Sequence, residues 1–458
     1  MSATLPVLLA VPAAGAVVLA LAPLSDRVAR AVGVVVTAAT LVVSVVLAVN
    51  FDYGRGARLQ DVVDVSWLPA LDVRFHLGVD GISLPLVLLT TLLALLCAVH
   101  TAGSVPEPGR PRQLLALMLA LEVGVLGTFV AADLVVFFVF FEIVLIPMYF
   151  LINIWGGSGR RTAAVKFILY TLLGSALMLI GFLVIYAQAG TFDMVRLGQE
   201  HGARIGAGTQ LLAFLLLMLG FGIKSPMWPL HTWLPDAHTE APTIGSVLLA
   251  GVLLKMGTYG LIRIAVGEVP DGARRVAPAL AVLAVIGIGY AALACLAQRD
   301  LKRLVAFSSV GHMGFVLLGI ATLTPIGIQA ALIGNIAHGV ITGLLFFLAG
   351  AVKDRFHTSD FEELGGGLLA KLPTIGGVVL FAAIASLGIP GLAGFWGEML
   401  AMLGAYSPGA GLSRALFVTL MAVAGVGTVL TAVYFLAMLR RMDYGLVTDR
   451  WRDTAVRD

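Results

Sequence analysis

Four ionisable residues lie inside long apolar stretches of this sequence. They are Glu142 in VVFFVFFEIVLIPMYF, Lys224 in LLMLGFGIKSPMW, Lys255 in VLLAGVLLKMGTYG and Glu398 in IPGLAGFWGEMLAM. A charge at the centre of a bilayer costs about 2.5 to 3.5 kcal/mol on insertion scales, so four cost on the order of 10 kcal/mol. Stability alone would have removed them, and their presence indicates a function. Burial favours the neutral form of an ionisable group and a nearby opposite charge favours the ionised form, so such groups are suited to binding and releasing protons.

We interpret Lys224 and a glutamate near it as a pair whose charge can be switched. Lys255 has no carboxylate beside it in the sequence and is predicted to bind and release a proton, with Glu398 as the last carrier. Two alternatives remain open. A lysine near a helix end can extend to the lipid headgroups, and a buried Glu/Lys bridge can serve only to fix helix packing.

Two histidines lie on adjacent apolar stretches among small and hydroxylated residues. His312 occurs in AFSSVGHMGF, near Ser308 and Ser309, and His338 follows Asn335 in IGNIAHGVITG. Imidazole both donates and accepts hydrogen bonds, and its unperturbed pKa near 6.5 suits a proton relay. We therefore expect a hydrated path here. The alternative is that core hydrogen bonds hold each ring.

Other polar residues of the apolar stretches have simpler interpretations. Glu122 is a secondary candidate, because a packing role explains it as well. Asp133 stands at a predicted helix junction and is expected to cap a helix. Cys97 and Cys295 are interpreted as small core residues, since no metal-ligand spacing surrounds them.

The elements that position these residues are predicted to be transmembrane helices. The chain has 458 residues and a mean hydropathy of +1.00, and 12% of its residues are charged, against about 25% in an ordinary globular domain. Its apolar runs are about 20 residues long, enough to cross about 30 Å of hydrocarbon. Thirteen spans are predicted, at 4–23, 29–50, 82–104, 113–131, 132–154, 166–190, 209–225, 242–265, 276–297, 303–322, 327–350, 372–404 and 413–439.

The positive charges favour one orientation in the membrane. With the N-terminus outside and the C-terminus in the cytoplasm, most of the 29 Lys and Arg residues fall in cytoplasmic loops. The net charge of +3 is small and scattered, and no basic stripe with interleaved aromatic residues indicates nucleic-acid binding. We expect a multi-pass protein of the inner cell membrane, in contact with lipid.

Prolines break two of the predicted helices. One break lies in KSPMWPLHTWLPDAHTEAP, with Pro226, Pro229 and Pro235, and the other in SLGIPGLAGFWGEML, with Pro390. Proline removes a backbone donor, and unpaired backbone at membrane depth is tolerated where protein covers it or where it lines a wet cavity. Two independent kinks are one explanation, and a repeated architecture is the other.

A repeat is predicted because the breaks fall in the fourth helix of two successive five-helix sets. The sets cover 113–265 and 276–440, after a three-helix segment at 1–112 and before a short polar cytoplasmic tail at 441–458. Five is an odd number, so successive sets cross the membrane in opposite directions. The predicted fold is an all-α polytopic membrane protein of about thirteen transmembrane helices with two inverted five-helix repeats, each containing a broken helix.

Several motifs resemble one known family. They are VDGISLPLVLLT, FFEIVLIPMYFLINIWG, GIKSPMWPLHTWLPDAHTEAPTIGSVLLAGVLLKMGTYGLIR, LKRLVAFSSVGHMGF, IAHG and IPGLAGFWGE. Together they cover most of 79–440, and the stretch 222–263 is highly specific. The chain resembles the antiporter-like M-subunit family of proton-pumping NADH:quinone oxidoreductase, respiratory complex I.

The resemblance implies that a glutamate–lysine pair, a second lysine, histidines and an exit glutamate carry the protons. These residues are Glu142, Lys224, Lys255, His312, His338 and Glu398. It implies a subunit of a translocase without a redox centre of its own, with flavin, iron–sulfur clusters and quinone on partner subunits. The partners implied are other membrane-arm subunits, including the related L and N subunits. Family members usually continue into a fourteenth helix, whereas the tail here is too short and too polar to span.

Two further functions remain as alternatives. A subunit of a multi-subunit cation/proton antiporter shares the same lysines and broken helices. A membrane scaffold with structural ion pairs is the other, and for it the loss of Lys255 would lower the abundance of the complex.

Overall fold

The computed structural model describes residues 4–452 and residue 458, and most of them are helical. Among the described residues, twelve helices are long and apolar enough to cross a membrane, which confirms the predicted all-α membrane fold. These helices are α1 (Thr4–Leu21), α2 (Asp26–Asn50), α3 (Ser83–Gly103), α4 (Pro111–Val130), α5 and α6 (together Leu134–Trp155), α7 (Arg160–Ala189), α9 (Ala207–Lys224), α11 (Thr243–Val266), α12 (Pro270–Leu296), α13 (Leu301–Ala321), α14 (Pro325–Phe356) and α19 (Arg414–Met442).

Shorter elements complete the described chain. They are the strands β1 (Gln60–Leu68) and β2 (Val73–Val79), the helices α8 (Met194–Glu200), α10 (Trp233–Glu240), α15 (Phe361–Leu364), α16 (Leu368–Lys371), α17 (Pro373–Ser386), α18 (Ala393–Tyr406) and α20 (Asp449–Arg452), and single 3-10 turns at Tyr53–Arg55 and Pro69–Leu71. The twelfth predicted span, 372–404, is not one long helix but the pair α17 and α18, each of 14 residues.

The chain divides into two compact units. The first contains residues 1–225 and 240–276, and the second contains residues 226–239 and 277–458. In each unit one helix is more enclosed than the others. In the first unit, 94% of the residues in the most apolar part of α11 are buried. In the second unit, 89% of the residues in the most apolar part of α13 are buried. These two helices carry Lys255 and His312. Lys255 is fully buried, and the His312 side chain is 15% exposed.

Helix breaks occur where the sequence predicts them and at one further place. α9 ends at Lys224, and helix resumes at Trp233 after the Pro226 and Pro229 segment. The second predicted break separates α17 from α18 around Pro390. The additional break divides the span Leu134–Trp155 into α5, which ends at Ile143, and α6, which begins at Leu145.

A β-hairpin lies between α2 and α3, where the sequence analysis assigns no element. Its strands β1 and β2 pair antiparallel. The second strand also contacts the helical part of the first unit, because the backbone N–H of Ala132 donates to the carbonyl of His76 at 2.9 Å and Leu77 bridges Ala131. The hairpin is thereby joined to the loop between α4 and α5.

An isolated antiparallel backbone bridge between two aspartates occurs in each unit, and we call it a clasp. In the first, Asp133 and Asp193 bridge antiparallel, and in the second Asp300 and Asp360 do so. Each of the four aspartates caps a helix through its side chain, at the starts of α5, α8, α13 and α15. Both clasps join residues sixty positions apart that flank the second and third spans of a predicted five-helix set. This correspondence supports an internal repeat.

Candidate functional site

Glu142 and Lys224 lie close together in the first unit without a direct bond. The Lys224 ammonium group lies 4.9 Å from the ring centroid of Phe141, the residue next to Glu142. Glu142 and Lys224 interact electrostatically. Among the described residues, neither Nζ of Lys224 nor Oε1 of Glu142 has a hydrogen-bond partner. The predicted pair is thus within electrostatic range and is not locked by a hydrogen bond.

The position of Lys224 follows from the end of its helix. It is the last residue of α9, where the helix dipole favours a positive charge, and its side chain is fully enclosed. Gly257 allows α11 to approach at this point, since a Cβ atom there would lie 2.3 Å from the Ser225 hydroxyl oxygen. Glu142 stands one residue before the end of α5, so both members of the pair occupy helix interruptions.

Lys255 is completely buried in α11, between two π-helical turns at Leu249–Leu253 and Leu261–Val266. Its Nζ donates to the carbonyl oxygen of Ala250 at 2.5 Å, which lies five residues earlier. π turns leave local irregularities in the backbone ladder and are frequent at functional sites. The lysine is thus held by its own helix.

A second group of polar side chains lies in the second unit. Nδ1 of His312 is 3.2 Å from Oε1 of Glu398, and the Thr428 hydroxyl donates to Oε2 of Glu398, also at 3.2 Å. The rings of His312 and His338 are 5.8 Å apart between centroids. These three ionisable residues line a cavity of about 30 Å³, together with Thr342. A space of this size, with polar walls, accommodates about one water molecule.

The hydroxylated residues near the histidines are engaged locally. Ser308 and Ser309 both donate to the carbonyl of Val305, on their own helix. Asn335 is fully buried. The cavity lined by His312, His338 and Glu398 gives the predicted path room for water at that point.

The secondary candidates have different surroundings. Glu122 is buried within α4, and neither of its oxygens has a hydrogen-bond partner among the described residues. Asp133 accepts hydrogen bonds from the amides of Val135 and Val136, which confirms the predicted cap. Cys97 and Cys295 are buried and unbridged.

Comparison with known proteins identifies the family. The family model described as NADH:quinone oxidoreductase/Mrp antiporter, TM, matches residues 131–429. NADH-quinone oxidoreductase subunit M of Rhodobacter capsulatus is 41% identical over 449 residues, covering 95% of this chain and 85% of that protein. The chain belongs to the subunit M (chain 4) family. A relative named NAD(P)H-quinone oxidoreductase chain 4, from Gloeobacter violaceus, is 43% identical over 381 residues, covering 83% of this chain and 71% of that protein.

Solved structures agree with membership of the subunit M family. A chain of respiratory complex I from Thermus thermophilus superposes with a TM-score of 0.86 at 30% identity, covering 99% of this chain and 91% of that one. A chain of the Mrp complex from Dietzia gives a TM-score of 0.83 at 26% identity, covering 97% and 80%. The subunit M fold is thus shared with antiporter subunits.

In the present chain, a member of the subunit M family, the predicted site residues form two groups. Glu142 and Lys224 lie together in the first unit, with Lys255 on the adjacent helix α11, and His312, His338 and Glu398 line one cavity in the second. Sequence reasoning missed Thr428, which contacts Glu398 from α19. No local signal marks it, because threonines in transmembrane helices commonly bond their own backbone.

Proposed function

We propose that this chain is a proton-translocating membrane subunit of an NADH-quinone oxidoreductase, respiratory complex I. The Rhodobacter relative is named NADH-quinone oxidoreductase subunit M, and the Thermus protein with the same fold is a chain of respiratory complex I. The observation that carries the proposal is the presence of two fully buried lysines, Lys224 and Lys255, inside the helical units of a family member. Buried lysines are costly and need a function.

The proposed carriers form two half-channels related as inverted repeats. The first unit supplies Glu142, Lys224 and Lys255. The second supplies His312, His338 and Glu398. The equivalent clasps of the two units support the repeat, and the odd number of spans in each set gives opposite directions. Each broken helix lies beside a carrier, since Lys224 ends α9 and Glu398 stands near the start of α18.

Proton movement by this subunit needs energy from outside the chain. Each proton is moved against about 2.3 kcal/mol per 100 mV of membrane potential. The redox chemistry, with its flavin, iron–sulfur clusters and quinone, is assigned to partner subunits, and the other membrane-arm subunits, including L and N, are the proposed neighbours. The location is the inner cell membrane, with the N-terminus outside and the C-terminus in the cytoplasm.

A subunit of a cation/proton antiporter is the second candidate. The fold shared with the Dietzia Mrp chain favours it, at lower sequence identity than the subunit M relatives. An antiporter exchanges ions without an electron donor. Proton movement that requires NADH and quinone supports the first candidate, and sodium/proton exchange in their absence supports the second.

Replacement of Lys255 tests the function in the assembled complex. Lys255→Met keeps most of the side-chain volume and removes the charge, so we expect normal assembly with loss of quinone-dependent proton transport into vesicles. Lys353→Met, on the exposed last turn of α14, is the control and should transport normally. A Lys255→Met complex that assembles and transports at the wild-type rate refutes the carrier role. A complex that fails to accumulate indicates a scaffold.

A further inference from the structure

Buried ionisable groups collect where the β-hairpin meets the helix ends of the first unit, and the proposed carriers include none of them. Glu268 lies between α11 and α12 and is 1% exposed. Neither of its carboxylate oxygens has a hydrogen-bond partner among the described residues. A buried ionised carboxylate without donors is strongly disfavoured, so this side chain needs an explanation.

The positive charge that acts on Glu268 is already paired with another residue. Arg263, in the last turn of α11, forms a partly buried ion pair with Asp80, three residues before α3. Asp80 also accepts hydrogen bonds from the backbone amides of Ile82 and Ser83, at 3.0 Å each. The guanidinium group of Arg263 bonds to Asp80. Its attraction for Glu268 therefore acts through longer-range electrostatics and not through a hydrogen bond.

Two further titratable groups act on Glu268 from other elements, and a third is bonded to one of them. Asp133, in the loop before α5, and Asp193, at the start of α8, both act electrostatically on Glu268. His76 of β2 lies with Nδ1 at 2.9 Å from Oδ2 of Asp193. The clasp between Asp133 and Asp193 fixes the spacing of these groups. The result is a buried cluster of both charge signs at the hairpin end of the first unit.

The members of the cluster differ in proton affinity. Burial raises the pKa of Glu268 well above its ordinary value, Arg263 acts against this, and Asp193 and Asp133 add to it. Burial also raises the pKa of Asp133, to about 6. Burial acts to raise the pKa of Asp193 as well, but hydrogen bonds from His76 and the backbone hold it below its ordinary value. Glu268 therefore binds a proton more tightly than Asp193 does.

One face of α11 connects this cluster with a proposed carrier. Lys255, Tyr259 and Arg263 are spaced four residues apart, which places them on the same helix face. Tyr259 is buried, and its hydroxyl donates to the carbonyl of Phe129 at 3.0 Å. Each step is about 6 Å along the axis, longer than one hydrogen bond, so proton transfer along this face requires bridging water.

We propose that Glu268, with Asp133 and the His76–Asp193 pair, forms a further proton-binding site that connects the Lys255 face of α11 with water at the hairpin surface. This inference rests on the proposed function. In the proton step, the Glu268 carboxyl group gives its proton to the Asp133 or Asp193 carboxylate or to the His76 ring and becomes a carboxylate. A proton arriving along α11 then restores it. No electron is transferred, and the Arg263–Asp80 ion pair positions the site.

The test compares Glu268→Gln with Glu200→Gln in the complete complex reconstituted in vesicles. Glutamine keeps the shape of a protonated glutamate, so a purely structural Glu268 tolerates the change. Glu200, at the end of α8, carries a solvent-accessible carboxylate paired with Arg204 at 3.3 Å and serves as the matched control. We expect Glu268→Gln to assemble and to lower quinone-coupled proton transport about tenfold or more, as removal of a positioned proton-transfer group commonly does.

A second measurement detects the proton itself. Difference infrared spectra recorded on a change of pH should contain a protonated-carboxyl band that is absent in Glu268→Gln and retained in Glu200→Gln. Wild-type transport by Glu268→Gln, or an unchanged infrared band, overturns the proposed site. Because Lys255→Met reports on the main route, failure of both variants to impair transport refutes the proposed function. Impairment in Lys255→Met alone refutes only the site at Glu268.

Discussion

His312 and Glu398 are joined by a hydrogen bond of 3.2 Å between Nδ1 and Oε1, across two helices of the second unit. Thr428 holds the other oxygen of the same carboxyl group. Glu398 is therefore fixed from two sides while it faces a cavity shared with His338. This arrangement positions a proton carrier and leaves room for water beside it, which a packed ion pair would not do.

Thr428→Val is expected to impair proton transport without affecting assembly. Valine keeps the shape of threonine and removes the donor to Glu398. A hydrogen bond to a charged group contributes about 1.5 to 3 kcal/mol, so we expect a decrease of about tenfold in the transport rate of reconstituted complex. Thr419→Val is the control, because the Thr419 hydroxyl bonds the Ala415 carbonyl of the same helix. Equal rates in the two variants would show that Thr428 does not position Glu398.

Glu142→Gln should leave assembly intact and depress both proton transport and coupled quinone reduction. Lys224 has no hydrogen bond to Glu142, so folding does not depend on a direct bond between them. Transport does depend on Glu142 if the carboxylate changes the charge of Lys224. Glu362→Gln, at a carboxylate that is 76% exposed, provides the control. Unchanged proton transport in Glu142→Gln would remove Glu142 from the carriers.

The sequence predicts the membrane spans and both proline breaks because these features are local. An apolar run of about 20 residues has few alternatives to a transmembrane helix. Pro226 and Pro229 follow the end of α9 directly, and Pro390 lies between α17 and α18. Asp133 was predicted as a cap from its position, and its side chain bonds two amides of the next turn.

Features that depend on distant residues were not predicted. The β-hairpin owes its position to the bond between His76 and Ala132, and nothing within 51–81 indicates that partner. The π turns on either side of Lys255, at Leu249–Leu253 and Leu261–Val266, were not predicted either. The contact of Thr428 with Glu398 joins α19 to α18. The six proposed carriers remain predictions of function, because proximity alone does not show proton transfer.

The clasp of the second unit should stabilise the chain through the cap at Asp300. The Asp300 side chain accepts a hydrogen bond from the backbone amide of Arg303 at 2.8 Å and another from the hydroxyl of Ser359. Asp300→Ala removes both bonds, and loss of a cap alone costs about 1 kcal/mol. We expect a lower midpoint of thermal unfolding for the purified complex. Asp300→Asn, which also caps well, should lie close to wild type, and an equal loss in both variants would indicate that the charge matters instead.

Asp443 is expected to make the C-terminal tail less stable as the pH rises. The residue follows α19 and is 1% exposed, and neither side-chain oxygen has a hydrogen-bond partner among the described residues. Burial raises its pKa from 3.8 to about 6. The folded tail therefore binds the proton more tightly than the unfolded tail. Stability is highest below about pH 4, falls as the pH rises through about 6, and is then constant.

Asp443→Asn removes this dependence, since asparagine is neutral throughout. Two pKa units correspond to about 3 kcal/mol, so we expect the variant tail to be more stable than wild type by about 1 to 3 kcal/mol at pH 8 and equal to it at pH 4. Hydrogen exchange at the amides of Gly367 and Leu369 measures this, because they donate to the carbonyls of Tyr444 and Asp443. Protection corrected for intrinsic exchange should rise in the variant only at the higher pH. Identical protection in both proteins at pH 8 would mean that the Asp443 carboxylate is solvated when ionised, and the predicted pH dependence of the tail would then be absent.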